Sequence, residues 1–230
     1  MIELKDVSKI HRKNGGTPVS AVDRLSLTIG RGEFVAIVGP SGSGKRTLMN
    51  LIGLLDRPDS GQYILDGRAV QDVSDNELAA LRSRFIGFVF QSDHLLPKTT
   101  ALENVQLPLL YANRKDFKGV GEAALAAVGL SDRMSHFASE LSGGQRQRVA
   151  IARALVNEPK ILLADEPAGN LDKAASDEIM SEFKKQHDRG TTIVLVTHDA
   201  EIARQADRTI TVGSGVIMPD VRVPFETAQP

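Results

Sequence analysis

Phe34-Val35-Ala36-Ile37-Val38-Gly39-Pro40-Ser41-Gly42-Ser43-Gly44-Lys45-Arg46-Thr47 reads as a strand, a glycine-rich turn and the opening of a helix. The apolar run Phe34 to Val38 has no polar interruption, as befits a strand buried on both faces of a parallel sheet. Gly39 to Lys45 then follow the phosphate-loop pattern G-x-x-x-x-G-K-[ST]. Glycines let successive backbone N–H groups converge on phosphate oxygens, and the helix N-terminus adds partial positive charge. Gly39, Pro40, Ser41, Gly42, Ser43, Gly44, Lys45, Arg46 and Thr47 are therefore the candidate nucleotide-binding residues, with Lys45 directed at the β- and γ-phosphates. A glycine-rich run alone also suits a plain tight turn; the flanking strand and helix favour phosphate binding. The pattern fails at its last place. Arg46 stands where a Ser or Thr hydroxyl would bind Mg²⁺, and a guanidinium stays protonated with no lone pair for a metal. Thr47 comes one residue later, about 100° further round an ideal helix, which disfavours it as a substitute ligand.

Outward from this stretch, Ile161 to Ala164 and Ile193 to Val196 are further short, unbroken apolar runs. Helical patterns alternate with them: Thr47 to Leu55, Gln145 to Val156, and Lys173 to His187 with Ala175, Ile179, Met180 and Phe183 at helical spacing. Strands alternating with helices imply an α/β core with a mainly parallel sheet. Ile2 to Val7 and Leu25 to Ile29 instead alternate apolar and polar residues, which predicts an N-terminal antiparallel β subdomain. Residues 76 to 140 are richer in helix formers and read as a helical insertion in the α/β core. The tail after Val212, holding Pro219, Pro224 and Pro230, reads as a short closing segment.

The composition narrows the function. The chain has 230 residues, 28 Lys plus Arg against 29 Asp plus Glu, and a formal net charge of −1. Dedicated nucleic-acid binders usually carry a basic excess, so this balance argues against a nucleic-acid partner. No apolar run approaches the ~18–20 residues of a membrane span. With no Cys there are no disulfides, zinc knuckles or catalytic thiols. The N-terminal residues lack an apolar signal-peptide core.

Chemistry-bearing groups recur at strand and helix ends. Leu141-Ser142-Gly143-Gly144-Gln145 opens a helix; Ser142 suits an N-cap, and the Ser-Gly-Gly turn is also a potential second anion site. Ile161 to Ala164 runs into Asp165 and Glu166, where an Asp can hold a metal and a Glu can polarise a water. Thr197-His198-Asp199 follows the Ile193 strand, and Gln91 follows Phe88-Val89-Phe90. Ligands bind beyond the carboxyl ends of strands in open α/β sheets.

In this order, the phosphate loop, Gln91, Leu141-Ser142-Gly143-Gly144-Gln145-Arg146-Gln147-Arg148, Ala164-Asp165-Glu166-Pro167 and Thr197-His198-Asp199 resemble the ATP-binding cassette (ABC) family of transporter ATPases over almost the whole chain. Leu54 to Pro58, Gly87 to Ser92, Ala101 to Val105 and Gly169 to Asp172 are similar to its lipoprotein-releasing and macrolide-export branch, with a cell-division relative close by. The resemblance implies a P-loop NTPase core, one cassette over residues 1–230, and a helical subdomain at approximately 92–157. It implies ATP and Mg²⁺ as cofactors, and head-to-tail pairing as a homodimer or with a paralogous cassette. Leu141, Ser142, Gly143, Gly144 and Gln145 would then meet the partner's ATP, and Asn170 and Asp172 would link the two sites. Asp165 and Gln91 would hold the metal. Glu166, His198 and Gln91 would serve hydrolysis, as base or water-orienting group, γ-phosphate contact and sensor.

The implied partners are membrane-spanning permease subunits and a periplasmic adaptor, which would place the chain peripherally on the cytoplasmic face of the inner membrane. The implied function is ATP hydrolysis powering export or lipoprotein extraction. The alternative is a hydrolysis-impaired nucleotide-binding scaffold of the cell-division type. The chain departs from the family at Arg46, at His11 in place of an adenine-stacking Tyr, at Ala168 in place of Thr, and at Lys98-Thr99-Thr100 in a segment that often faces the membrane partner. Arg46 leaves two readings open: little or no hydrolysis, or Mg²⁺ retained more weakly by Asp165 and water.

Overall fold

The unbroken apolar strands divide their side chains between two cores. In a computed structural model describing residues 1–12, 17–112 and 117–219, Val35, Ile37, Ile161, Leu163, Val194 and Val196 enter one core cluster. Phe34, Leu162, Ala164, Ile193 and Leu195 enter the other. Period-two alternation sends neighbours to opposite faces, so a strand needs apolar residues at every position only when both faces are covered.

The chain begins with β1 (Ile2–His11) and β2 (Val19–Ile29), which pair antiparallel, and enters the main sheet at β3 (Phe34–Val38). Helix α1 (Lys45–Ile52) follows the glycine-rich loop, starting two residues before the pattern from Thr47 suggests. Next come β4 (Ser60–Leu65), β5 (Arg68–Ala69), α2 (Asp75–Phe85) and β6 (Ile86–Phe90). Helices α3 (Ala101–Tyr111), α4 (Phe117–Ala127) and α5 (Gly143–Leu155) precede β7 (Ile161–Asp165). The chain then forms α6 (Lys173–Asp188), β8 (Thr192–Val196), α7 (Ala200–Ala203), β9 (Arg208–Gly213) and β10 (Val216–Ile217). Pro224 and Pro230 of the closing segment lie outside the described residues.

The smaller sheet has the order β2-β1-β4-β5, and the larger β10-β9-β3-β8-β7-β6. In the larger sheet β3 pairs parallel with β8 and β9, and β7 parallel with β6 and β8; only β10 runs antiparallel to its neighbour. The chain has the P-loop α/β fold, with an antiparallel β subdomain packed on one side. The first core lies between the two sheets around α1, and the second beneath α3, α4, α5 and α6.

Two local features escape simple alternation. The β1–β2 register shifts between Leu4 and Val7, where Asp6 has φ 50° and its N–H donates to the Ser26 hydroxyl at 2.9 Å. This irregularity redirects β1 while keeping both Leu4 and Val7 in the core. The helix-forming stretch 76 to 140 is also not one insertion. Leu78 and Phe85 of α2 join the first core, and β6 enters the main sheet before α3 begins. Helix propensity there is overridden by the apolar run Ile86 to Phe90 pairing with β7.

Tyr63 ties the antiparallel sheet to α1. Its buried hydroxyl donates to the Ile52 carbonyl at 2.7 Å, and burial pushes its phenol far above the usual range. Tyr63→Phe leaves that carbonyl without its donor and is expected to cost about 1–2 kcal/mol. Urea unfolding monitored by circular dichroism measures it; an unchanged midpoint removes Tyr63 as a tie between the two parts.

Candidate functional site

The candidate site lies where β3, β7 and β8 end. Parallel pairing sets Asp165 opposite both Phe90 and Val196, so the segments leaving β6, β7 and β8 emerge on the same side. A cleft at this end is lined by His11, the loop Ser41 to Thr47, Gln91, Asp165, Glu166 and His198. Residues from distant parts of the chain thus share this one cleft.

The loop keeps its shape by close backbone approach. A Cβ at Gly39 (φ 151°) would lie 2.1 Å from the Val212 carbonyl oxygen, and one at Gly44 (φ 103°) 2.1 Å from that of Ala21. Only glycine permits these contacts, which seat the loop between β9 and β2. Lys45 Nζ donates to the Gly39 and Pro40 carbonyls at 2.6 and 2.9 Å. The buried Ser43 hydroxyl has no hydrogen-bond partner among the described residues, and Ser43 lines the cleft. An orphaned hydroxyl, a lysine and a helix N-terminus at one loop fit a phosphate group.

Glu166 follows Asp165 with φ 49°, and its N–H donates to the Val196 carbonyl at 2.9 Å. Its carboxylate accepts from the Thr197 hydroxyl at 3.0 Å and the His198 backbone N–H at 2.9 Å, and lies 2.6 Å from His198 Nδ1. The two strand ends thus hold Glu166 and His198 as a pair, with His198 Nε2 left for another partner.

The expected metal position holds a guanidinium–carboxylate pair. Arg46 Nε donates to Asp165 Oδ2 at 2.9 Å, and the Asp165 side chain is only 8% exposed. Thr47 offers no replacement, because its hydroxyl lies 3.1 Å from His11 Nε2. No group of three or more His, Cys, Asp or Glu suited to a metal occurs among the described residues. With its hydroxyl ligand missing and a fixed positive charge on its carboxylate, this donor set does not fit Mg²⁺.

Leu141, Ser142, Gly143, Gly144 and Gln145 do not line the cleft, nor do Asn170 and Asp172. Ser142 caps α5: its hydroxyl accepts from the Gln145 N–H at 3.2 Å, and its own N–H donates to Gln145 Oε1 at 2.9 Å. Asp172 caps α6 by accepting from the Ala175 N–H at 2.9 Å. Thr99 and Thr100 also act locally: Thr100 caps α3 through the Glu103 N–H at 3.2 Å, and Thr99 accepts from Asn104 Nδ2 at 2.7 Å.

Motif reading missed the tethers of the segment after Gln91. Gln147 Nε2 donates to the Phe90 carbonyl at 3.0 Å, Arg146 Nε to Asp93 Oδ2 at 2.8 Å, and Arg153 to the Asp93 and His94 carbonyls at 2.7 and 2.9 Å. Their signal was the polar residues breaking the apolar pattern of Gln145 to Val156.

A sequence profile described as ABC transporter matches residues 22–169. The ABC transporter ATP-binding protein YknY of Bacillus subtilis is 52% identical over 221 residues, which cover 95% of this chain and 96% of that protein. The macrolide export ATP-binding/permease protein MacB of Bdellovibrio bacteriovorus is 48% identical over 230 residues, all of this chain but 35% of that protein. Among solved structures, the dimeric post-hydrolysis state of the ATP-binding cassette MJ0796 bound to ADP and Pi superposes with a TM-score of 0.88 at 42% identity, covering 95% of this chain and 97% of that one.

Proposed function

The chain belongs to the ABC transporter family, and from this premise we propose that it binds and hydrolyses ATP to power a membrane export or lipoprotein-extraction complex. The observation that carries this reading is the division of the motifs. The phosphate loop, Gln91, Glu166 and His198 share one cleft, whereas the Ser142–Gly144 helix end lies outside it. A second cassette, head to tail, would bring that helix end to the first one's nucleotide. The dimeric neighbour and the fused permease of the macrolide-export relative support pairing and a membrane partner.

In this proposal the loop amides and Lys45 hold the triphosphate. Glu166, oriented by Thr197 and His198, takes a proton from the attacking water as its oxygen bonds to the γ-phosphorus and the bond to ADP breaks. His198 contacts the γ-phosphate. Permease subunits would supply the spanning helices, since no described helix is long and apolar enough to cross a membrane. A periplasmic adaptor would complete the complex, with this chain on the cytoplasmic face of the inner membrane. The Arg46–Asp165 pair favours a second reading, a nucleotide-binding scaffold with impaired hydrolysis.

Sedimentation of the full chain tests the pairing. A slowly hydrolysed ATP analogue is expected to shift it from monomer to dimer mass, and ADP is not. No shift with the analogue, with or without a co-expressed permease, overturns the dimerisation reading.

A further inference from the structure

We propose that Arg46 takes the place of the divalent cation, so that this cassette binds ATP in its metal-free form. The inference rests on the reading of the cleft as an ATP site. Asp165 is nearly buried at the end of β7, where an uncompensated carboxylate is costly, and Arg46 supplies its counter-charge at 2.9 Å. The anchor uses Nε, one of five guanidinium N–H donors. Arg46 is itself 70% exposed and lines the cleft beside Lys45. A guanidinium fixed on one edge by a carboxylate presents its remaining N–H groups to phosphate oxygens, a geometry that favours paired contacts. The same charge repels a metal ion from Asp165, and Thr47 is turned toward His11.

Calorimetric titration of ATP into the full chain, in EDTA and in excess Mg²⁺, tests this directly. Wild-type affinity is expected to be equal in the two buffers within about threefold, or weaker in Mg²⁺. Arg46→Ser, which restores a hydroxyl and frees Asp165, is expected to bind about tenfold or more tightly in Mg²⁺ than in EDTA. Wild-type binding that needs Mg²⁺ overturns the inference and leaves the ATP site standing. Absence of wild-type binding in both buffers overturns the ATP site and the inference together. Should Arg46→Ser fail to fold, the two wild-type titrations decide the question alone.

Discussion

Glu166→Gln is expected to lower ATP turnover by roughly 10²–10⁴-fold, the usual range for loss of a general base. Nucleotide affinity should stay within about threefold of wild type, because Glu166 does not belong to the phosphate loop. The geometry supports this separation. Glu166 accepts from Thr197 and His198, groups at the end of β8, whereas Lys45 and Ser43 belong to the loop before α1. Gln has nearly the same shape but a far weaker base, so position is kept and proton acceptance is lost. Single-turnover phosphate release with enzyme in excess, beside calorimetry for affinity, reads the two effects apart. Turnover retained within about tenfold would remove Glu166 as the base.

Phe183→Ala is expected to destabilise the chain by about 3–5 kcal/mol. Phe183 is fully buried on α6, in the core shared with Phe34, Ile179, Met180, Ile193 and Leu195. Its ring also lies in the layer that supports β8, the strand that delivers His198. Truncation leaves a cavity that the sheet and helix can only partly close, and the loss is a large share of a typical domain's 5–15 kcal/mol. Urea unfolding measures it. A loss below about 1 kcal/mol would show that α6 does not depend on this side chain.

The periodic elements were legible in the residue order because their signals are local. Ile179, Met180 and Phe183 form the buried face of α6, at the spacing that predicts a helix from Lys173. Phe34 to Val38, Ile161 to Ala164 and Ile193 to Val196 are strands covered on both faces. The stretch from 76 to 140 was harder: the strand-like run ending at Phe90 was legible, but only its pairing with β7 shows that β6 belongs to the main sheet and divides the helical stretch. The start of α1 at Lys45 was obscured by the glycines before it.

At the site, residue identity alone determined that position 46 lacks a metal-binding lone pair, since guanidinium chemistry does not depend on context. It also determined which loop can approach phosphate and which carboxylates end a strand. Where Arg46 goes instead depends on folding: its partner Asp165 is 119 positions away, brought near by the parallel packing of β3, β8 and β7. The same holds for Glu166 against His198, and for Arg146 and Arg153 against the segment after Gln91. Local chemistry names the groups; the sheet register and the packing of helices upon it set which of them share one charge environment.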